Sequence, residues 1–190
     1  MSQTCVAEGK AIDSTLIVPF FGSIRAVFNT MLHTQITVGA PYLRNDDKAT
    51  HMVSTIVGFS GQLTGSVTVS FTAESASKIA SEFAGTPLDL QSPDFADAIG
   101  ELANMIAGAA KKHLAGSSSI TIPSVVIGPD HAIARHRDIP CVVIPCTCQA
   151  GPFTVEVSIK RLAPAPVPGV TDAVGESSSP IPSPVLAGER

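Results

Sequence analysis

An α/β fold of the α+β type, a mostly antiparallel sheet with long helices packed on it, is predicted by three features of this sequence. Apolar residues recur at helical spacing in residues 15–32 and again in residues 92–113. Two runs of β-branched and apolar residues lead through a glycine turn into an alternating partner, 51–59 into 63–71 and 141–148 into 153–160, as β-hairpins do. The order helix, strand, hairpin occurs twice, so residues 20–71 and 95–159 read as a weak internal duplication.

The first helix is carried by Leu16, Ile17, Phe20, Ile24, Val27, Phe28, Met31 and Leu32, with Pro19 placed in its opening turn, where proline is tolerated. Residues 34–43 and 51–59 are rich in β-branched side chains and read as strands, the second turning at Ser60-Gly61. A short helix follows, capped by Thr72 or Ser75, with Ala76, Ile79, Ala80 and Phe83 on its apolar side and Gly85-Thr86-Pro87 as its stop. Ser92 is the expected N-cap of the long helix, Pro93 its first residue, and Asp94 and Asp97 sit at the positive dipole end. Beyond it come a strand over residues 120–127, a polar loop to Asp138, and the second hairpin, turning at Ala150-Gly151-Pro152.

Composition limits what the chain can do. At 190 residues with 44% hydrophobic and 15% charged residues, no Trp and one Tyr, it describes one aliphatic domain, placed at residues 15–162 after a flexible segment 1–14. Residues 163–190 hold six prolines, five serines or threonines and no aromatic residue, and read as a disordered tail. A net charge of −4 gives no basic footprint for nucleic acid. No positively charged leader precedes an apolar run and no window reaches ~18 apolar residues, so no membrane span and a cytoplasmic location are expected.

Within the long helix, Asp97, Glu101, Asn104 and Gly108 follow one another at offsets of four, three and four. Helical geometry stacks them on one stripe. Ile99, Leu102, Ala103, Ile106, Ala110 and His113 fall on the opposite side, so the stripe is at least the solvated face of an amphipathic helix. An inert face would favour Ala, Glu, Lys or Gln, whereas Asn104 and Gly108 both reduce helix propensity. Asn offers a neutral donor and acceptor that orients a water without taking its proton, and Gly lets another backbone approach closely.

The pattern D-x-x-x-E-x-x-N, set in GELANMIAGAAKKHL and followed by the proline of ITIPSVVIG, resembles the CheC/CheX/FliY chemotaxis phosphatases, CheX most closely. The resemblance covers roughly residues 16–162, including the repeated helix, strand and hairpin order. It implies a protein phosphatase acting on the aspartyl phosphate of a CheY-like response regulator. By that resemblance Asn104 is inserted into the regulator to orient the attacking water, Glu101 docks against the regulator's lysine, and Asp97 and Gly108 support the docking. The resemblance also implies that no cofactor is needed on this chain, Mg²⁺ being supplied by the regulator, and that the chain is a homodimer extending a sheet between subunits. Aligning the first helix on the second sets Asn29 against Asn104 but Ala26 against Glu101 and Gly22 against Asp97, so only the second copy carries the docking acid.

Two other readings compete. A module that binds or sequesters a phosphorylated regulator without hydrolysing it would have the same fold, although it gives no reason for an Asn at position 104. A metal site formed by His131, His136 and Cys146 lacks ligand spacing, and Cys141, Cys146 and Cys148 read as free thiols, so no metal is expected. Arg135, His136 and Arg137 read as a solvated basic loop.

Overall fold

The computed structural model of the chain describes residues 6–7 and 10–162. The tail at 163–190 and residues 1–5 and 8–9 of the N-terminal segment lie outside the described residues. The elements run β1 (Val6–Ala7), β2 (Lys10–Ala11), α1 (Ser14–Met31), β3 (Thr37–Val38), β4 (Tyr42–Arg44), β5 (Val53–Gly61), β6 (Leu63–Phe71) and α2 (Ala73–Ala84). They continue with α3 (Phe95–Lys111), β7 (Ser118–Ile120), β8 (Ser124–Ile127), β9 (Cys141–Cys148) and β10 (Gly151–Arg161).

β1 and β2 form a small ladder of their own, and the remaining strands form one antiparallel sheet in the order β3-β9-β10-β6-β5-β7, with β4 also on β9 and β8 also on β5. Outward from the central β10–β6 pair the sheet reads alike in both directions. The long hairpin strand comes first, β9 or β5, and then the short broken strand contributed by the other half of the chain. The duplication expected from the sequence is therefore an exchange, in which each half closes its edge with a strand of the other.

Each edge strand, expected as one run, is broken in two. Pro41 and Pro123 lack the amide that would continue the ladder, so the chain leaves the sheet between β3 and β4 and between β7 and β8.

All three helices pack on one face. That face is lined by Val53, Val57, Val67, Val69, Phe71, Phe153, Val155 and Val157, and Phe153 stacks between Phe28 of α1 at 4.7 Å and Phe71 at 5.6 Å. Asp13 caps α1, its carboxylate accepting from the Thr15 amide at 3.0 Å. Pro19 falls in the second turn of α1 and not the first, and the Ser23 hydroxyl donates to its carbonyl at 2.8 Å. α2 begins at its Thr72 cap and ends on Gly85, whose φ of 69° a side chain would resist. The expected Ser92 cap is not formed. Its hydroxyl turns back to Asp89, accepting from that amide at 2.9 Å, and α3 opens three residues later behind Asp94, which makes no side-chain cap. His113, expected on the apolar side of α3, is exposed beyond the helix end.

The opposite sheet face is polar yet buried: Ser54, Thr68, Ser70, Glu156 and Ser158 have almost no exposed surface. It is covered by segments 45–51 and 128–140, which bond to each other through Ala49 N to His131 O and Ile133 N to Asp47 O. Arg135, expected in a solvated loop, instead reaches beneath this cover to Glu156, which Arg44 also meets at 3.2 Å and Thr50 at 3.1 Å. Glu156 is 1% exposed and the two arginine side chains 8% and 7%, so one buried carboxylate is shared by two buried guanidiniums, which also meet the exposed carboxylates of Asp46 at 3.2 Å and Asp47 at 3.8 Å. Removing it takes away the buried partner of both guanidiniums and leaves them only the exposed Asp46 and Asp47, and breaking a buried pair costs about 3–5 kcal/mol. Glu156→Ala is accordingly expected to lower the unfolding free energy by about that amount. A urea midpoint unchanged from wild type would contradict the account.

Candidate functional site

α3 lies at the centre of the helical layer, touching α1, α2, β5, β6, β7 and β8. Small residues allow this: Ala98, Gly100, Ala103, Ala107 and Ala110 are all buried, and no long side chain holds the neighbours away. A side chain added at Gly100 would touch Val125 at 3.6 Å and Pro123 at 3.7 Å, so β8 lies directly against the helix there. What remains open to solvent is a narrow ridge.

On that ridge stand the residues singled out from the sequence. Asp97 and Glu101 are exposed, and Asn104 and Gly108 half-buried. The Asn104 Nδ2 donates to Glu101 Oε2 at 3.3 Å, the contact expected of residues three apart on a helix. This bond sets the sense of the amide, leaving its carbonyl oxygen free to accept. Gly108 is bordered by Ile120 of β7, whose Cδ1 would lie 3.9 Å from an added Cβ. In the first copy, Gly22, Ala26 and Asn29 are likewise exposed on α1, so the counterpart stripe is present without an acid.

The shape of the site bears on its chemistry. Cavities of about 560 Å³ and about 320 Å³ lie on the other side of the sheet around Arg135 and His136, and neither is lined by α3. Glu101 and Asn104 thus lie outside both cavities, on the solvent-facing side of α3. A ridge with an acid and an amide at its crest suits insertion into a partner and not the enclosure of a small molecule.

The structure does not gather His131, His136 and Cys146. Cys146 pairs with Phe153 in the helix-side core, whereas His131 lies on the other face, its ring bonded to Ser54 Oγ at 2.8 Å and Gly128 O at 2.9 Å. Burial pushes the Cys146 thiol up to about 12, with Cys148 adding to the effect, and burial followed by the charge of Glu156 pushes Cys141 up to about 11. Both thiols stay protonated at neutral pH and are neither nucleophiles nor ready ligands.

With the ridge in view, comparison with known proteins is decisive. The family model described as chemotaxis phosphatase CheX matches residues 53–147, which include both ridge residues. The chain belongs to the CheX chemotaxis phosphatase family. It is 33% identical over 123 residues to the CheY-P phosphatase CheX of Thermotoga maritima, spanning 63% of this chain and 79% of that one. Its fold is similar to a CheC-like superfamily protein of Shewanella sp. PV-4, with a TM-score of 0.71, 28% identity, and coverage of 78% of this chain and 99% of that one. It is also similar to the CheX of a CheX–CheY–BeF3–Mg²⁺ complex from Borrelia burgdorferi, with a TM-score of 0.66, 25% identity, and coverage of 77% and 98%. CheX membership accounts for the mostly antiparallel sheet with helices packed on it that the sequence predicted.

The borders of the ridge were not foreseen. Pro123 was legible as part of the motif, but residues 120–127 read as one strand, which hid the corner that brings Pro123 and Ile120 against α3.

Because Asn104 is kept where Ala makes a better helix, Asn104→Ala is expected to raise the unfolding free energy by about half a kcal/mol. A loss of stability in thermal or urea melts would show that Asn104 holds the helix and is not retained for something else.

Proposed function

We propose that the chain is a cytoplasmic protein phosphatase that accelerates hydrolysis of the aspartyl phosphate on a CheY-like response regulator. The observation that carries this reading is the hydrogen-bonded pair of exposed Glu101 and half-buried Asn104 on the solvent-facing ridge of α3. It occurs in a chain related to a CheY-P phosphatase and to a CheX that forms a complex with CheY, BeF3 and Mg²⁺. No helix among the described residues is long and apolar enough to cross a membrane, which agrees with a diffusible partner.

An acyl phosphate already has a good leaving group, and a regulator that brings its own Mg²⁺ supplies the charge that phosphoryl transfer needs. What this chain adds is position. Asn104 enters the regulator's site and its amide oxygen accepts a hydrogen bond from a water, aligning the water oxygen with phosphorus. The new P–O bond forms as the bond to the aspartyl oxygen breaks, releasing inorganic phosphate and the free carboxylate. A neutral amide does not remove the water's proton, so orientation is its whole contribution. Glu101 meets a cationic side chain of the regulator and sets the depth of insertion, while Asp97 and Gly108 shape the ridge on either side. No metal or cofactor is assigned to this chain.

Asn104→Ala is expected to lower kcat on a phosphorylated, Mg²⁺-loaded regulator by about 10²-fold. Glu101→Ala is expected to lower kcat/KM by about tenfold or more. If wild type binds the charged regulator but leaves its dephosphorylation rate unchanged, the chain is a sequestering module instead.

We also infer a homodimer that continues the sheet across subunits. The sheet ends on short, broken strands at both edges, and the β3/β4 edge, away from the α3 ridge, leaves backbone groups that a second copy can pair. Sedimentation of the full chain should give twice the 19.5 kDa subunit mass, and a monomer at working concentration would remove this part of the reading.

A further inference from the structure

The corner between β7 and β8 is built as a rigid mount. Thr121 is fastened to β5 at both ends of one residue: its amide donates to Gly58 O at 3.0 Å, and its hydroxyl accepts from Gly58 N at 2.9 Å. Only a glycine leaves room for this, since a Cβ at Gly58 would stand 3.0 Å from Thr121 Cγ2. Pro123 then fixes the chain direction with its ring and rests against α3 at Gly100. Ile120 rests against the same helix at Gly108.

Gly100, buried on the side of α3 that faces β8, and Gly108, on the stripe, lie one turn before and one turn after Asn104. Between Pro123 at the first and Ile120 at the second stands Ile122, with 88% of its surface exposed. A single exposed apolar residue is ordinary on a protein surface. This one differs in its mounting and its address: it is fixed on both sides and borders the ridge that Asn104 occupies. A β-branched side chain on a fixed corner has little rotamer freedom to lose on burial, which makes it an efficient contact.

We propose that Ile122 is the apolar docking residue of the site, entering a hydrophobic depression on the response regulator beside its phosphorylated aspartate and so determining which regulators are served. The proposal rests on the phosphatase reading for the identity of the partner. Its physical logic is a division of labour. Glu101 supplies long-range attraction and register, Asn104 acts on the water, and Ile122 supplies short-range affinity that a charged rim does not give. The occupant is a regulator because Ile122 is continuous with the Glu101–Asn104 ridge.

The test compares wild type with Ile122→Ser, Ile122→Thr and Ile122→Leu, and with Leu162→Ser as a control at an exposed leucine just after β10, outside the β7–β8 corner. Four quantities are read: KM and kcat on a phosphorylated CheY-like regulator, Kd for the same regulator charged with beryllofluoride and Mg²⁺, and the mass of the assembly by light scattering. Ile122→Ser is expected to raise KM and Kd about tenfold, equivalent to about 1.4 kcal/mol, with kcat unchanged. Ile122→Thr should give a smaller rise, Ile122→Leu should stay near wild type, and Leu162→Ser should shift neither constant by as much as twofold. KM and Kd within twofold of wild type for Ile122→Ser overturn the proposal, as does a change in mass, which would assign Ile122 to contact between copies of this chain. The two readings fail separately. Binding that depends on Ile122 without any acceleration by wild type defeats only the catalytic assignment, and acceleration that ignores Ile122 defeats only the docking residue.

Discussion

The nine-residue pairing of β6 with β10, from Phe71 opposite Phe153 to Leu63 opposite Arg161, is the constraint on which the rest of this structure depends. It joins the two halves of the chain at their longest strands and fixes which side chains share a face, because a slip of one residue would move every one of them across the sheet. In this register Phe71, Val69 and Val67 lie beside Phe153, Val155 and Val157, so the apolar faces of both hairpins coincide and call for one helical layer. α1 and α3 must then share that layer, packed against each other. The ridge follows from their competition for space: α3, made of small residues, is enclosed on most sides, and its exposed residues, Asp97 and Glu101, lie on the polar stripe.

The same register places Thr68, Ser70, Thr154 and Glu156 together on the other face. A polar face open to water would need no cover, but this one carries a buried carboxylate and is closed by two loops bearing Arg44 and Arg135. A charged triad is an expensive way to hold loops down, since desolvation offsets most of the attraction. It gives specificity in exchange. Hydrophobic loop residues would accept several arrangements, whereas one carboxylate with two guanidiniums and the Thr50 hydroxyl accepts few. Holding this face shut keeps the sheet one-sided and leaves the ridge on the other side as the exposed polar feature of the α3 surface.

Elements governed by local pattern were legible in the sequence, and those governed by distant partners were not. α1, α2, α3 and both hairpins follow from apolar spacing and turn glycines, each a matter of a few neighbouring residues. The stripe from Asp97 to Gly108 was visible for the same reason, since helix geometry alone aligns it. Arg135 was misjudged because its partner lies 21 residues ahead in β10, and nothing local distinguishes a guanidinium in water from one beneath a loop. Ser92 fits the capping pattern perfectly well as sequence, yet Asp89 competes for its hydroxyl and wins, and the helix starts later. The corner at Thr121 was hidden because its anchor, Gly58, is 63 residues away.

Under the proposed mechanism, the duplication also separates the two helices of the pair. α1 has the amide, Asn29, exposed at the position matching Asn104, but Ala26 stands where Glu101 does. An amide alone orients a water only if something holds the partner at the right depth, and a misplacement of 1 Å is enough to lose about 10² in rate. Replacing the acid by alanine therefore removes more than one contact: it removes the register in which the remaining amide is useful. The neighbouring Arg25 is exposed on α1 as well, and puts a positive charge where the second copy presents the side-chain-free Gly100. Under the proposed docking, a partner whose docking group is cationic is drawn to the α3 ridge and repelled from its α1 counterpart, so charge as well as the missing acid separates two helices that the fold makes equivalent.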